Sequence, residues 1–209
     1  MDVAVLGASG RTGRLVVDEL LRRGHTVRVL VRDAARAPRA GDVTVVVGDV
    51  KDPEPLRAVL DGADAVVSAL GSTDDRELHR TTVRVLVPLL QSAGVRRFVG
   101  VSGAGVDAPG DAKRFRDKLI SGAMHRFAKQ TVSDKEEELA AFRTSDLDWT
   151  FVRPPRLADG AATGRLEHHA TVSTKSTTMT TGDLAVLLVD VLEQGLYLRQ
   201  APFAATAKG

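Results

Sequence analysis

The sequence predicts an α/β fold built on a doubly wound parallel sheet, and three observations carry that prediction. Apolar runs of strand length alternate with helical patterns from residue 3 to residue 152, the arrangement that produces strand–helix–strand crossovers. The runs are apolar on successive residues, as strands are when helices cover both faces of their sheet. The first run leads into a glycine-punctuated turn and an amphipathic helix, Val3-Ala4-Val5-Leu6-Gly7-Ala8-Ser9-Gly10-Arg11-Thr12-Gly13. That is the layout of a dinucleotide-binding βαβ unit, the opening of a Rossmann fold.

Strands are predicted over 3–6, 27–31, 43–47, 65–70, 98–101 and 149–152, with helices over 11–23, 55–60, 77–93 and 133–143. The first helix shows its period through Leu15, Val16 and Leu20. Pro88 falls inside the third helix and should kink it or shift its boundary. A final helix starts around Gly182-Asp183-Leu184, with Gly182 or Asp183 as its cap. At 209 residues, 43% hydrophobic and 27% charged, the chain fits one domain spanning 1–209; about 103–130 and 156–182 are expected to form the side of the site away from the glycine turn, where a substrate would enter.

Composition narrows the function. There is no cysteine, so disulfides and thiolate metal sites are excluded and a reducing compartment is compatible; no other metal-ligand spacing appears. The chain enters its first strand without a leader pattern, and no apolar run approaches the ~20 residues a membrane span needs. A soluble cytoplasmic protein without membrane contact is expected. The 29 basic and 27 acidic residues are spread along the chain, and only one Trp and one Tyr are present. Neither the basic face nor the aromatic platform of a nucleic-acid binder is visible.

The glycine turn carries the leading functional expectation. Gly7 lets the strand end in a tight turn, Gly10 lets backbone approach a pyrophosphate, and Gly13 permits close helix–sheet packing. Ser9, Arg11 and Thr12 complete the cofactor-binding turn, and the helix starting near Arg11 aims its free amides at the phosphates. The alternative is a structural βα turn with no ligand. Arg32 stands at the tip of the second strand, about 20–25 residues beyond the turn, where a guanidinium pairs with a ribose 2′-phosphate and a carboxylate would repel it. NADP(H) is therefore expected over NAD(H), with Arg36 as a second contact and Arg11 flanking the same phosphate. Asp33 is the competing feature, because a small backbone shift would present its carboxylate instead.

Residues 106–130 are harder to read. Lys113, Arg114, Arg116, Lys118, Arg126 and Lys129 are interleaved there with Phe115, Leu119, Ile120, Met124 and Phe127. Three readings stay open: a partly helical excursion over the mouth of the site with solvated charges, a mobile lid, or a self-association surface.

The glycine turn, Arg32, Gly48-Asp49-Val50, Ser68-Ala69-Leu70-Gly71, Gly94-Val95-Arg96-Arg97-Phe98-Val99 and Asp146-Leu147-Asp148-Trp149-Thr150-Phe151-Val152-Arg153-Pro154 occur in order. On these motifs the chain resembles the atypical short-chain dehydrogenase/reductases. It looks most like the NAD(P)H-binding, NmrA-like group that includes the biliverdin-IXβ and flavin reductases, from Met1 to about Leu192. The resemblance implies that Asp49 and Val50 border the adenine. Ala69, Leu70 and Gly71 would border the adenosine ribose and pyrophosphate, and Ser102 and Gly103 the nicotinamide. Arg153, Pro154 and Pro155 would lead past the nicotinamide into the substrate pocket.

Lys135 matches the lysine of the superfamily's Tyr-x-x-x-Lys pair, which implies a bond to the nicotinamide ribose; the alternative is a helix-surface lysine beside Glu138. Thr131 stands where the catalytic tyrosine would be, and an aliphatic hydroxyl is far too weak an acid to replace a phenol. Tyr197, the only tyrosine, reads as a packing residue. Hydride transfer to a flavin, a quinone or a similar conjugated acceptor needs no such phenol. The resemblance thus implies an NADPH-dependent reductase of flavin-reductase type, with Lys135 and Ser102 as catalytic candidates and Ser102 orienting nicotinamide or acceptor. His168 or His169 would border the pocket or lie on a strand surface. The alternative is an NADP(H)-sensing regulator without chemistry; an epimerase or dehydratase is disfavoured because it too would want the phenol. A monomer or a homodimer is compatible with the sequence.

Overall fold

The computed structural model describes residues 1–38, 43–71, 75, 77–114 and 129–208. Six parallel strands form the central sheet: β1 (Asp2–Leu6), β2 (Thr26–Val31), β3 (Val43–Val47), β4 (Ala65–Ser68), β5 (Arg97–Val101) and β6 (Asp148–Val152). Their order is β3-β2-β1-β4-β5-β6, so the direction of winding reverses between β1 and β4, where an open α/β sheet leaves a crevice beyond its strand ends. Leu6 pairs with Leu30 on one side and Ser68 on the other. The turns after β1, β2 and β4 therefore emerge side by side.

Period-two alternation along β1 divides the core into two halves. Val3 and Val5 face α1 (Arg11–Arg22) and α5 (Thr181–Glu193), packing with Val16, Leu20, Leu184 and Leu188. Ala4 and Leu6 face α2 (Pro53–Leu60), α3 (Leu78–Ala93) and α4 (Lys129–Thr144), packing with Leu56, Leu60, Leu86 and Leu90. The doubly wound parallel sheet expected from the sequence is the fold observed.

The differences are local. α3 runs unbroken through Pro88, because Pro88 is exposed while Leu86, Leu89 and Leu90 on either side of it are buried; packing holds the helix through one missing hydrogen bond. α4 begins at Lys129, four residues before the expected start, since Lys-Gln-Thr shows no apolar period. β4 ends at Ser68 rather than residue 70, as the chain turns outward to the strand ends. The cap of α5 is Thr180, whose hydroxyl accepts the Asp183 amide at 3.0 Å, rather than Gly182 or Asp183. Asp183 is instead buried, accepting from Thr163 and Thr206.

Beyond β6, two small sheets flank the strand ends. β7 (Arg156–Ala158) pairs in parallel with β9 (Thr178–Thr180), and β8 (Leu166–His169) pairs antiparallel with β10 (Phe203–Thr206). Residues 115–128, the centre of the basic stretch, lie outside the described residues. No helix among those described is long and apolar enough to cross a membrane.

Candidate functional site

A cavity of about 430 Å³ occupies the crevice at the winding reversal, within the roughly 300–1,000 Å³ usual for small-molecule sites. Gly7, Ser9, Gly10, Arg11 and Thr12 line it from the first turn, Arg32 and Arg36 from the end of β2, Asp49 and Val50 from the end of β3, and Ala69, Leu70 and Gly71 from the end of β4. Lys51, Asp75, Leu78, Val101 and Leu157 also line the cavity and were missed by the sequence reading. Lys51 is a direct neighbour of Asp49-Val50 and Val101 of Ser102, so adjacency was the only signal available.

Backbone proximity explains the glycines. Gly7 has φ +78°, and a Cβ there would lie 2.8 Å from the Ala69 carbonyl carbon and oxygen, because β4 runs directly alongside. Gly13 is buried beneath the turn rather than lining the cavity; a Cβ would overlap the Gly7 carbonyl oxygen and sit 2.9 Å from Ala8 Cα. Gly10 is the N-cap of α1 and offers no side-chain cap, and no acidic residue occupies the first turn. The amides at this positive helix end thus meet no competing anion from their own helix. Arg11 reaches across to Asp159 at 2.7 Å, with both side chains about two-thirds exposed (67% and 68%), a pairing that contributes little to stability.

At the β2 end the carboxylate that competed with Arg32 is committed elsewhere. Asp33 Oδ1 accepts the Ala35 amide at 2.9 Å and caps the single 3-10 turn Ala34–Arg36. Arg32 and Arg36 are exposed and have no ion-pair partner among the described residues. Arg14 fastens this loop to the glycine turn, donating to the Arg36 carbonyl at 2.8 Å and the Ser9 carbonyl at 3.3 Å. Asp49 accepts the Lys51 amide at 2.9 Å, and Lys51 pairs with Asp75 at 2.9 Å; Asp49 therefore both turns the chain and borders the cavity.

Toward β5 the site becomes buried. Ser102 donates its amide to the Val152 carbonyl at 2.8 Å, while its hydroxyl is buried with no hydrogen-bond partner among the described residues. Lys135 is buried on α4 and donates to the Val101 carbonyl at 3.2 Å, so its ammonium sits behind a residue that lines the cavity. Thr131 lies one turn before it on the same helix. Asp134 sets the position of α4: its two oxygens accept the His79 and Arg80 amides, each at 2.9 Å, at the first turn of α3. His79 Nδ1 lies 3.1 Å from Glu138 Oε2 one turn further on.

Burial pushes the Lys135 ammonium below its ordinary 10.5, although Glu138 and Asp134 act in the opposite direction. In the interval between the lowered value and 10.5 the folded state holds fewer protons than the unfolded chain, so this group's contribution to stability rises with pH there. Lys135→Met is expected to be more heat-stable than the parent at neutral pH, with the gain shrinking as pH rises toward 10.5. Thermal melts of both proteins across that range check it; a gain that does not change with pH would contradict the assignment.

Ser102, Gly103, Lys135, Arg153 and Pro154 are not among the residues that line the cavity. The Arg153 side chain is fully buried and directed into the scaffold. It donates to Asp111 at 2.6 and 2.7 Å, to the Ala201 carbonyl at 2.7 Å and to the Val106 carbonyl at 2.8 Å, and it stacks 3.8 Å from the Phe203 ring. Pro154 accepts the Ala104 amide at 2.9 Å, tying the Ser102–Gly103 turn to β6. His168 and His169 are exposed on β8; His168 Nδ1 meets the Tyr197 hydroxyl at 2.6 Å and His169 accepts the Thr171 and Val172 amides. None of these three rings reaches the cavity.

Comparison with known proteins agrees with this geometry. A family model described as NAD(P)H-binding matches residues 7–195. The uncharacterized protein YwnB of Bacillus subtilis is 30% identical over 206 residues, 92% of either chain. An NAD(P)H azoreductase of Xenophilus azovorans is 28% identical over 156 residues, 73% of this chain and 47% of its own length. This chain thus spans about half of that relative. A solved structure from Streptococcus pneumoniae that carries the provisional name NADH-flavin reductase is 28% identical, with a TM-score of 0.81 over 99% of this chain and 100% of that one. A cavity floored by glycine backbone, an uncapped helix end and a match across almost the whole fold place this chain in the NAD(P)H-binding family.

Proposed function

We propose that the protein is an NADPH-dependent reductase that delivers hydride to a flavin, a quinone or a similar conjugated acceptor. The observation that carries the choice of NADPH is the β2 end: two arginines without ion-pair partners among the described residues, beside an aspartate whose carboxylate already holds the Ala35 amide. The glycine turn and the α1 amides would hold the pyrophosphate, Asp49 and Val50 the adenine, and Ala69, Leu70 and Gly71 the adjoining ribose. At the other end Lys135 would meet the nicotinamide ribose, and the unpartnered Ser102 hydroxyl would meet the nicotinamide or the acceptor.

The nicotinamide supplies the hydride when bound. The chain's own work is to orient the two rings and to keep water from the Lys135 side. With threonine at position 131 the chain has no phenol there to protonate an alkoxide, which favours acceptors that take their proton from water. The flavin-reductase and azoreductase relatives support a conjugated acceptor. Thr131 also favours a second reading, a nucleotide-sensing regulator that binds NADPH without turnover.

NADPH oxidation with FMN, riboflavin and a small quinone, alongside direct NADPH binding, separates the two. Turnover that falls in Lys135→Ala supports the reductase; tight binding with no turnover supports the regulator. Arg32→Asp is expected to weaken NADPH by about 10- to 100-fold, the loss of one charge-assisted phosphate contact, and to leave NADH nearly unchanged. Equal losses for both nucleotides would refute the 2′-phosphate assignment.

A further inference from the structure

A second cavity of about 290 Å³ lies beside β6, the sheet edge opposite β3. It shares no lining residue with the nucleotide crevice. Its wall includes Trp149, the only tryptophan of the chain, which is 4% exposed and whose indole N–H is buried with no hydrogen-bond partner among the described residues. Buried indole N–H groups ordinarily have an acceptor. The indole packs against Phe151, with ring centroids 5.9 Å apart, and Leu139 and Ala201 extend the apolar surface.

The charge at the rim has one sign. Arg143, in the last turn of α4, is exposed and has no hydrogen-bond or ion-pair partner among the described residues. Arg199 gives one guanidinium N–H to the Ser145 carbonyl at 2.9 Å and keeps its remaining donors. Asp111 is the one carboxylate among the lining residues, and both of its oxygens are taken by Arg153. Asp146, which lies near Arg199, is held by Gln91 at 2.8 Å and by Arg96 at 3.6 Å.

The backbone that presents Arg199 is unusual. Tyr197 and Arg199 have φ of 55° and 57°, the only non-glycine residues with positive φ among those described. The turn is held by the Arg199 amide, which donates to the Trp149 carbonyl at 2.7 Å, and by the Gln200 amide, which donates to the Tyr197 carbonyl at 3.0 Å. Left-handed backbone at residues with side chains is disfavoured and collects at ligand sites. Here it sets a guanidinium beside the indole.

We propose that this cavity binds a small carboxylate with a flat apolar body, the chemistry of an aromatic acid. The carboxylate meets Arg143 and Arg199, whose guanidinium groups match it in shape and charge, and the ring lies against Trp149 and Leu139. Eight residues, or about 12 Å of helix, separate Arg143 from Lys135 along α4, so the acid occupies a place of its own. The inference does not depend on the reductase reading.

Trp149 reports on its own site. Titrating the full chain with benzoate, and with benzamide as the uncharged control, should give a saturable change in tryptophan fluorescence for benzoate alone. Arg143→Met, on an exposed helix surface, should weaken benzoate at least tenfold, and saturating NADP⁺ should leave benzoate binding in place. Arg199→Met should act in the same direction; if that variant fails to fold, Arg143→Met decides. No saturable change, an equal response to benzamide, an unaltered affinity in Arg143→Met, or displacement by NADP⁺ would each overturn the proposal.

Discussion

Gly13→Ala is expected to cost at least 100-fold in NADPH affinity, about 2.7 kcal/mol, and to lower the thermal midpoint as well. The added methyl would overlap the Gly7 carbonyl oxygen and come within 2.8 Å of the Gly7 carbonyl carbon and 2.9 Å of Ala8 Cα. Each of these is a backbone atom, so no side chain can swing aside. α1 must move off the turn, and its buried Val16, Val17 and Leu20 must repack; overpacking of this kind typically costs about 1–3 kcal/mol. The amides around Gly10 move with the helix, which is why affinity falls together with stability. At Gly10 a Cβ would meet only the Gly7 oxygen, at 3.2 Å, so Gly10→Ala should be milder in stability. Calorimetric titration and thermal melts of both variants check this; parent-like affinity in Gly13→Ala would mean that α1 is not seated on the turn as described.

Arg153→Ala should be the most destabilising single change outside the glycine turn, by about 3–5 kcal/mol, because it strands a carboxylate that has lost both of its guanidinium contacts. It also removes the donors to the Ala201 and Val106 carbonyls and the stacking on Phe203. These contacts link β6 to the 106–111 segment and to β10, so the loss should loosen the substrate side more than the glycine turn. Replacing Asp111 and Arg153 together by apolar residues of similar volume should recover much of the loss, since the charge and its partner leave as a pair. Urea denaturation of the single and double variants measures both; a cost below about 1 kcal/mol for Arg153→Ala would show that the pair is not the fastening the geometry describes.

The sheet was legible because strands covered on both faces must be apolar at every position, as Val3-Ala4-Val5-Leu6 is. That the residues after these strands would converge was legible because the register of β1 with β2 and β4 brings the strand ends together around one cavity. What stayed hidden depends on partners distant in sequence. Nothing around Asp134 announces that it closes a helix beginning more than fifty residues earlier, and nothing around Arg153 announces Asp111 forty-two residues away. The motif that contains Arg153 suggested a role at the cofactor, whereas its guanidinium is turned into the scaffold. β7 to β10 were missed for another reason: they are three or four residues long and partly polar, too short for an alternating pattern to register.

The two helix ends beside the crevice are treated oppositely. At α3 the chain supplies its own anion, Asp134, to the first amides, whereas at α1 it supplies none. An elongated, phosphate-bearing molecule entering from solvent therefore finds a single electrostatic address. Turned end for end, it would bring its negative charge toward a carboxylate instead of toward free N–H groups. On the NADPH reading proposed above, the fold would favour one polarity as well as affinity, with the phosphate-bearing end of the guest toward Arg32 and the other toward Lys135.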